Sequence, residues 1–176
     1  MKKKSLCLLV FVLVIVIIVF ISIERKNPDS QGSKNIEYKT DYYSIQIPST
    51  WQIIKEADYL TTFYYNNNKI ASIETNPECQ YCSSSSSIIT NLFGLHGSSK
   101  GDVVETDKGN YQIVKTIITY KQSAAEQERS ETKVPDELHY LFTDKKSLLI
   151  DLYLNDSQLS DDEQNEIAQS LSPIIQ

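Results

Sequence analysis

Glycine is scarce in this chain, five residues in 176, and none falls in a Gly-x-Gly-x-x-Gly or Walker pattern. Phosphate-cradling loops need glycine where backbone amides approach the ligand, so no nucleotide-binding motif is present. Histidine is scarcer still, limited to His96 and His139. A Cys₂His₂ zinc set is arithmetically possible, but the spacing fits no compact finger and His139 falls within a predicted strand. No basic patch interleaved with aromatics occurs, which excludes nucleic acid as an expected partner. The serine run Ser83 to Ser87 has no Gly-x-Ser-x-Gly elbow and no nearby base except His96, so it predicts no nucleophile. Ser83 or Ser84 instead suits a helix N-cap. Asp156, Asp161, Asp162, Glu163 and Glu166 crowd together near the C-terminus without the spacing of a calcium hand. No metal and no cofactor are expected.

What the chain does have begins at its N-terminus. Lys2, Lys3 and Lys4 precede an apolar run from Ser5 to Ile23, closed by Glu24-Arg25-Lys26. Nineteen helical residues would extend about 28 Å, close to the ~30 Å hydrocarbon core of a bilayer. The lysines favour a cytoplasmic N-terminus, which places everything after Glu24 outside. The run is longer than a signal-peptide core and ends Val19-Phe20-Ile21-Ser22-Ile23, where a cleavage site would need small residues. The expectation is an uncleaved, single-pass signal anchor over residues 1–26, embedded through residues 5–23. Cys7 lies near the start of the apolar run, the wrong place for a lipoprotein cysteine.

Residues 27–35 are polar, carry Pro28 and Gly32, and read as a tether. Residues 36–176 are the right size for one extracytoplasmic domain. Five of the 17 Lys/Arg and one of the 23 Asp/Glu precede Asn27, leaving 12 against 22 and a net charge of −10 beyond the anchor. Such a domain repels nucleic acid and anionic headgroups.

The domain is predicted to be mostly β. Tyr43, Ile45 and Ile47 alternate on one face before Pro48. Strands Tyr59 to Tyr65 and Lys69 to Thr75 flank Asn66-Asn67-Asn68, residues that tolerate left-handed dihedrals. Val103 to Thr106 and Tyr111 to Tyr120 flank Asp107-Lys108-Gly109-Asn110, and Leu138 to Thr143 and Ser147 to Leu154 flank Asp144-Lys145-Lys146. Ile88, Ile89, Leu92, Phe93 and Leu95 have helical spacing within about 84–95. Ser160-Asp161-Asp162-Glu163 forms a capping box before Ile167, Ala168 and Leu171, and Pro173 stops that helix. Residues 122–136 are charged, aperiodic and expected to form a loop. Tyr43, Ile45, Ile47, Ile113, Leu149 and Leu171 are the expected core, with Trp51 covering the end of the sheet.

Tyr43-Ser44-Ile45-Gln46-Ile47-Pro48-Ser49-Thr50-Trp51, the hairpin from Tyr140 to Tyr153 and the capped helix with Ile167 and Leu171 together resemble PsbP/Mog1-like domains over about residues 36–174. The resemblance implies an α+β fold, an antiparallel sheet flanked by helices. It also implies an accessory or binding role with no shared catalytic set. Its matched positions are core and turn residues, so no functional residue is carried over.

Cys79-Gln80-Tyr81-Cys82 is the one sharp chemical motif. It follows a predicted strand and precedes a predicted helix, whose N-terminus would lower a thiol's pKa. With Cys82 one turn into that helix, Cys79 would be the attacking thiol. Outside the membrane the pair is expected to be oxidised. Two readings follow: a disulfide that staples a turn, or the site of a membrane-tethered thiol–disulfide oxidoreductase. The first belongs to a non-enzymatic binding or accessory domain with a protein partner outside the cell.

Overall fold

The computed structural model describes residues 34–94, 97–120 and 135–175. The expected anchor with its lysines and Cys7, His96, and most of the expected 122–136 loop lie outside the described residues. Among the described residues, no helix is long and apolar enough to cross a membrane. Residues 35–176 form one unit.

Among its described residues that unit contains eleven strands and two helices. The strands are β1 (Asn35–Lys39), β2 (Tyr43–Pro48), β3 (Gln52–Lys55), β4 (Leu60–Tyr65), β5 (Asn68–Asn76), β6 (Gly97–Ser99), β7 (Val104–Asp107), β8 (Gln112–Tyr120), β9 (Glu137–Thr143), β10 (Leu149–Leu154) and β11 (Ser172–Pro173). The helices are α1 (Ser85–Phe93) and α2 (Asp161–Ser170). One sheet has the order β1-β2-β11 and the other β3-β4-β5-β10-β9-β8-β6, with β7 also on β8; every pairing is antiparallel.

Local chemistry sets the connections. Asn66 and Asn67 both have positive φ, 50° and 63°, the two left-handed residues that a two-residue hairpin of matching twist requires. Gly109 takes φ 81° in the turn between β7 and β8. In the β9–β10 turn, one oxygen of Asp144 accepts from the amides of Lys146, Ser147 and Leu148 at 2.8–2.9 Å. Those bonds outweigh burial and hold its carboxyl below the usual range. Ser84 caps α1 by accepting from the Ser87 amide. Ser160 and Glu163 make the expected reciprocal capping box on α2. The first helix is shorter than expected, ending at Phe93 with Gly94 as its C-cap.

Strand alternation then sorts the side chains onto two faces of the large sheet. Phe63, Ile73, Leu138, Tyr140, Phe142, Ile150, Leu152 and Leu154 pack against Tyr43, Ile45 and Ile47 of the small sheet and Ile167, Ala168 and Leu171 around the end of α2. Trp51 closes this layer at 8% exposure, its ring 6.1 Å from that of Phe63. The opposite face presents Val114, Ile118, Leu141 and Leu149 to Ile88 and Phe93 of α1 and to the two cysteines. Ile113, expected in the core, is only half-buried. It shares its face of β8 with Lys115, whose ammonium lies 5.2 Å over the Tyr140 ring, so this end of the face is an open rim.

Candidate functional site

The structure joins the sequence-predicted pair: the Sγ atoms of Cys79 and Cys82 are 1.96 Å apart. Both residues precede the Ser84 N-cap, so Cys82 does not stand one turn into the helix as its spacing suggested. Cys79 donates its amide to the Ser147 carbonyl at 2.7 Å, tying the turn to the β9–β10 connection. At 2% and 1% exposure, both cysteines are part of the apolar layer beneath α1. A disulfide that exchanges with a client must meet an attacking thiolate, and burial works against that.

A second constellation was not assembled by sequence reasoning. Beyond Phe93, the face of the large sheet that carries α1 becomes polar. Here lies a cleft of about 240 Å³ lined by Ser72 and Glu74 of β5, Asp151 and Tyr153 of β10, and Glu137 and His139 of β9. Leu60, Lys69, Phe93 and Tyr120 complete its walls. Register brings the groups together, since Tyr153 stands opposite both Ser72 and His139, and Asp151 opposite Glu74.

His139 is the centre of this cleft, 5% exposed and under the Phe93 ring at 4.8 Å. Its Nδ1 lies 2.8 Å from Asp151 Oδ1 and its Nε2 3.4 Å from Glu137 Oε2. Burial alone would lower the imidazole pKa, but the two carboxylates outweigh it and raise it from 6.5 to about 9. Both ring nitrogens therefore donate, and the ring is a cation at neutral pH. The same hydrogen bond from His139, with one from Tyr120 at 2.6 Å, holds Glu137 below the usual carboxylate range despite burial. Burial and the neighbouring Glu137 push the Tyr120 and Tyr153 hydroxyls upward.

A general base needs a free lone pair facing a proton to abstract, and the carboxylates beside both ring nitrogens favour the protonated imidazole, which has none. Ser72 lines the same cleft, yet the imidazole that could activate it is already committed on both sides. Among the described residues, no three His, Cys, Asp or Glu side chains are grouped to hold a metal ion. The arrangement is a charged, hydrogen-bonded cluster in a cleft.

One signal could have found this cleft. Leu138, Tyr140 and Phe142 mark one face of β9 and Ile150, Leu152 and Leu154 the same face of β10. Glu137, His139, Asp151 and Tyr153 must then share the other, where polar residues at buried-strand positions need partners.

No protein-family model and no curated protein matches the chain. Among solved structures, it is similar to the solution structure of cyanobacterial PsbP (CyanoP) from Synechocystis sp. PCC 6803. The TM-score is 0.50 at 10% identity, covering 84% of this chain and 98% of that one. The fold is PsbP-like. At this identity the likeness carries the architecture alone.

Proposed function

We propose that the chain is a single-pass membrane protein holding a PsbP-like domain outside the cytoplasm, where it acts as a binding or accessory module for a protein partner. The observation that carries the binding reading is His139, locked by carboxylates on both nitrogens in the floor of a cleft. Such a group positions charge and is a poor general base at neutral pH. The rival reading, an oxidoreductase acting through Cys79 and Cys82, is disfavoured by the burial of both residues.

The anchor has its own test. Val14→Lys puts a charge at mid-bilayer, costing about 2.5–3.5 kcal/mol on insertion scales. Fractionation is expected to show partial loss from the membrane. Wild-type protein in the culture medium, trimmed near Ser22, would replace the anchor with a signal peptide.

The two function classes separate on the disulfide. As a staple it should have a reduction potential below about −300 mV. The double variant Cys79→Ala/Cys82→Ala should remain folded with partner capture intact, because so short a loop restricts the unfolded chain little. A more oxidising potential, with a mixed disulfide trapped on a client by Cys82→Ser, would favour the enzyme.

A further inference from the structure

Resting on the binding reading above, we infer that the cleft over β5, β9 and β10 receives a cationic side chain, Lys or Arg, from a protein partner. A charge imbalance lies along a cleft that opens to solvent at Lys69 and Glu74, both exposed. Three carboxylates, Glu74, Glu137 and Asp151, line it against two cations, His139 and Lys69. His139 serves both Glu137 and Asp151, and the Lys69 ammonium sits 5.2 Å over the Tyr153 ring. Among the described residues, Glu74 has no hydrogen-bond or ion-pair partner. Of the three carboxylates, Glu74 is the one with no described cation in contact.

Glu74 faces Asp151 directly across the β5–β10 ladder, an arrangement of like charges that destabilises a sheet. Burial and Asp151 both raise its pKa, so its charged form costs the ligand-free fold. Glu74 thus faces a like charge without a described counter-ion, a cost that a bound cation would relieve.

The walls specify the cation. Tyr153 already carries one alkylammonium, and aromatic faces beside carboxylates suit ammonium and guanidinium groups. The volume falls below the ~300–1,000 Å³ of small-molecule sites, enough for the end of one side chain. With a net charge of −10 beyond residue 26, the chain also draws basic protein surfaces toward it.

The test uses the full chain in neutral detergent, with carboxyl-carbon NMR of Glu74 and Asp151 as the readout. The probes are a Gly-Lys-Gly peptide, its Arg counterpart, the same peptide with acetylated lysine, and butylammonium, the peptides blocked at both ends. The Lys and Arg peptides should shift both carboxyls, and the acetylated one should not. Glu74→Gln should weaken binding about tenfold or more while raising the Tm of the ligand-free protein. Equal shifts from the acetylated peptide, or unchanged binding by Glu74→Gln, would overturn the inference. Binding of butylammonium without either peptide would point to a free amine and also overturn it. If Glu74→Gln retains a captured partner as well as wild type does, the inference falls and the binding reading stands.

Discussion

Replacing His139 with leucine is expected to destabilise the domain by about 3–5 kcal/mol at neutral pH, because it leaves two half-buried carboxylates without their shared cation. Urea unfolding would measure it as a fall in midpoint. The deficit should shrink on acidification, since the Glu137 carboxyl is neutralised at low pH and no longer needs the imidazolium. Wild type has its own pH signature. The folded pKa of about 9 lies above the ordinary 6.5. The stabilisation is complete below about 6.5 and declines as pH rises through about 9, a change of about 3 kcal/mol. His139→Leu should lack that slope. An unchanged slope in the variant would mean another group titrates there and that His139 is not the locked cation described.

Trp51→Ala should cost a similar amount, about 3–5 kcal/mol, through a cavity in place of the ring. Trp51 is held at both ends, its amide donating to the Pro48 carbonyl at 3.0 Å and its ring packed near Phe63. The surroundings cannot easily collapse, because Phe63 is fully buried in the sheet below. The readout is again the urea midpoint, with far-UV circular dichroism to confirm that the variant folds. A loss under about 1 kcal/mol would take Trp51 out of the core.

Local chemistry was legible in the sequence wherever the signal lay within a few residues. Asn66-Asn67, Asp144 and the Ser160–Glu163 box each act through their own neighbours, so each was read correctly as turn or cap. Alternation found the buried face of β2. Strands without such signals were missed: Gly97-Ser98-Ser99 has no apolar residue to show a face, and β11 is two residues long and contains Pro173. β1 does alternate, but Ile36 is an exposed edge residue and gives little contrast. The site was harder for a different reason. Glu74, Glu137, His139 and Asp151 sit on three strands, and only register brings them together. Composition alone allows His139 as a zinc ligand, but its neighbours in space are carboxylates that stabilise its protonated form. The cysteine pair, being local, was found; the depth at which it lies depends on how α1 packs.

The small sheet has a consequence for the order in which the molecule can be made. Its middle strand, β2, is flanked by β1 from one end of the domain and by β11 from the other, with Ser44 paired to both Lys39 and Ser172. A chain made from its N-terminus therefore delivers β2 about 130 residues ahead of the strand that covers its second edge, a long loop to close. Until Ser172 and Pro173 emerge, Tyr43 and Ser44 present bare backbone groups, an edge open to wrong pairing. Completion of folding is thereby tied to the arrival of the C-terminal residues, and truncation just before Ser172 should leave a domain that folds slowly and aggregates readily.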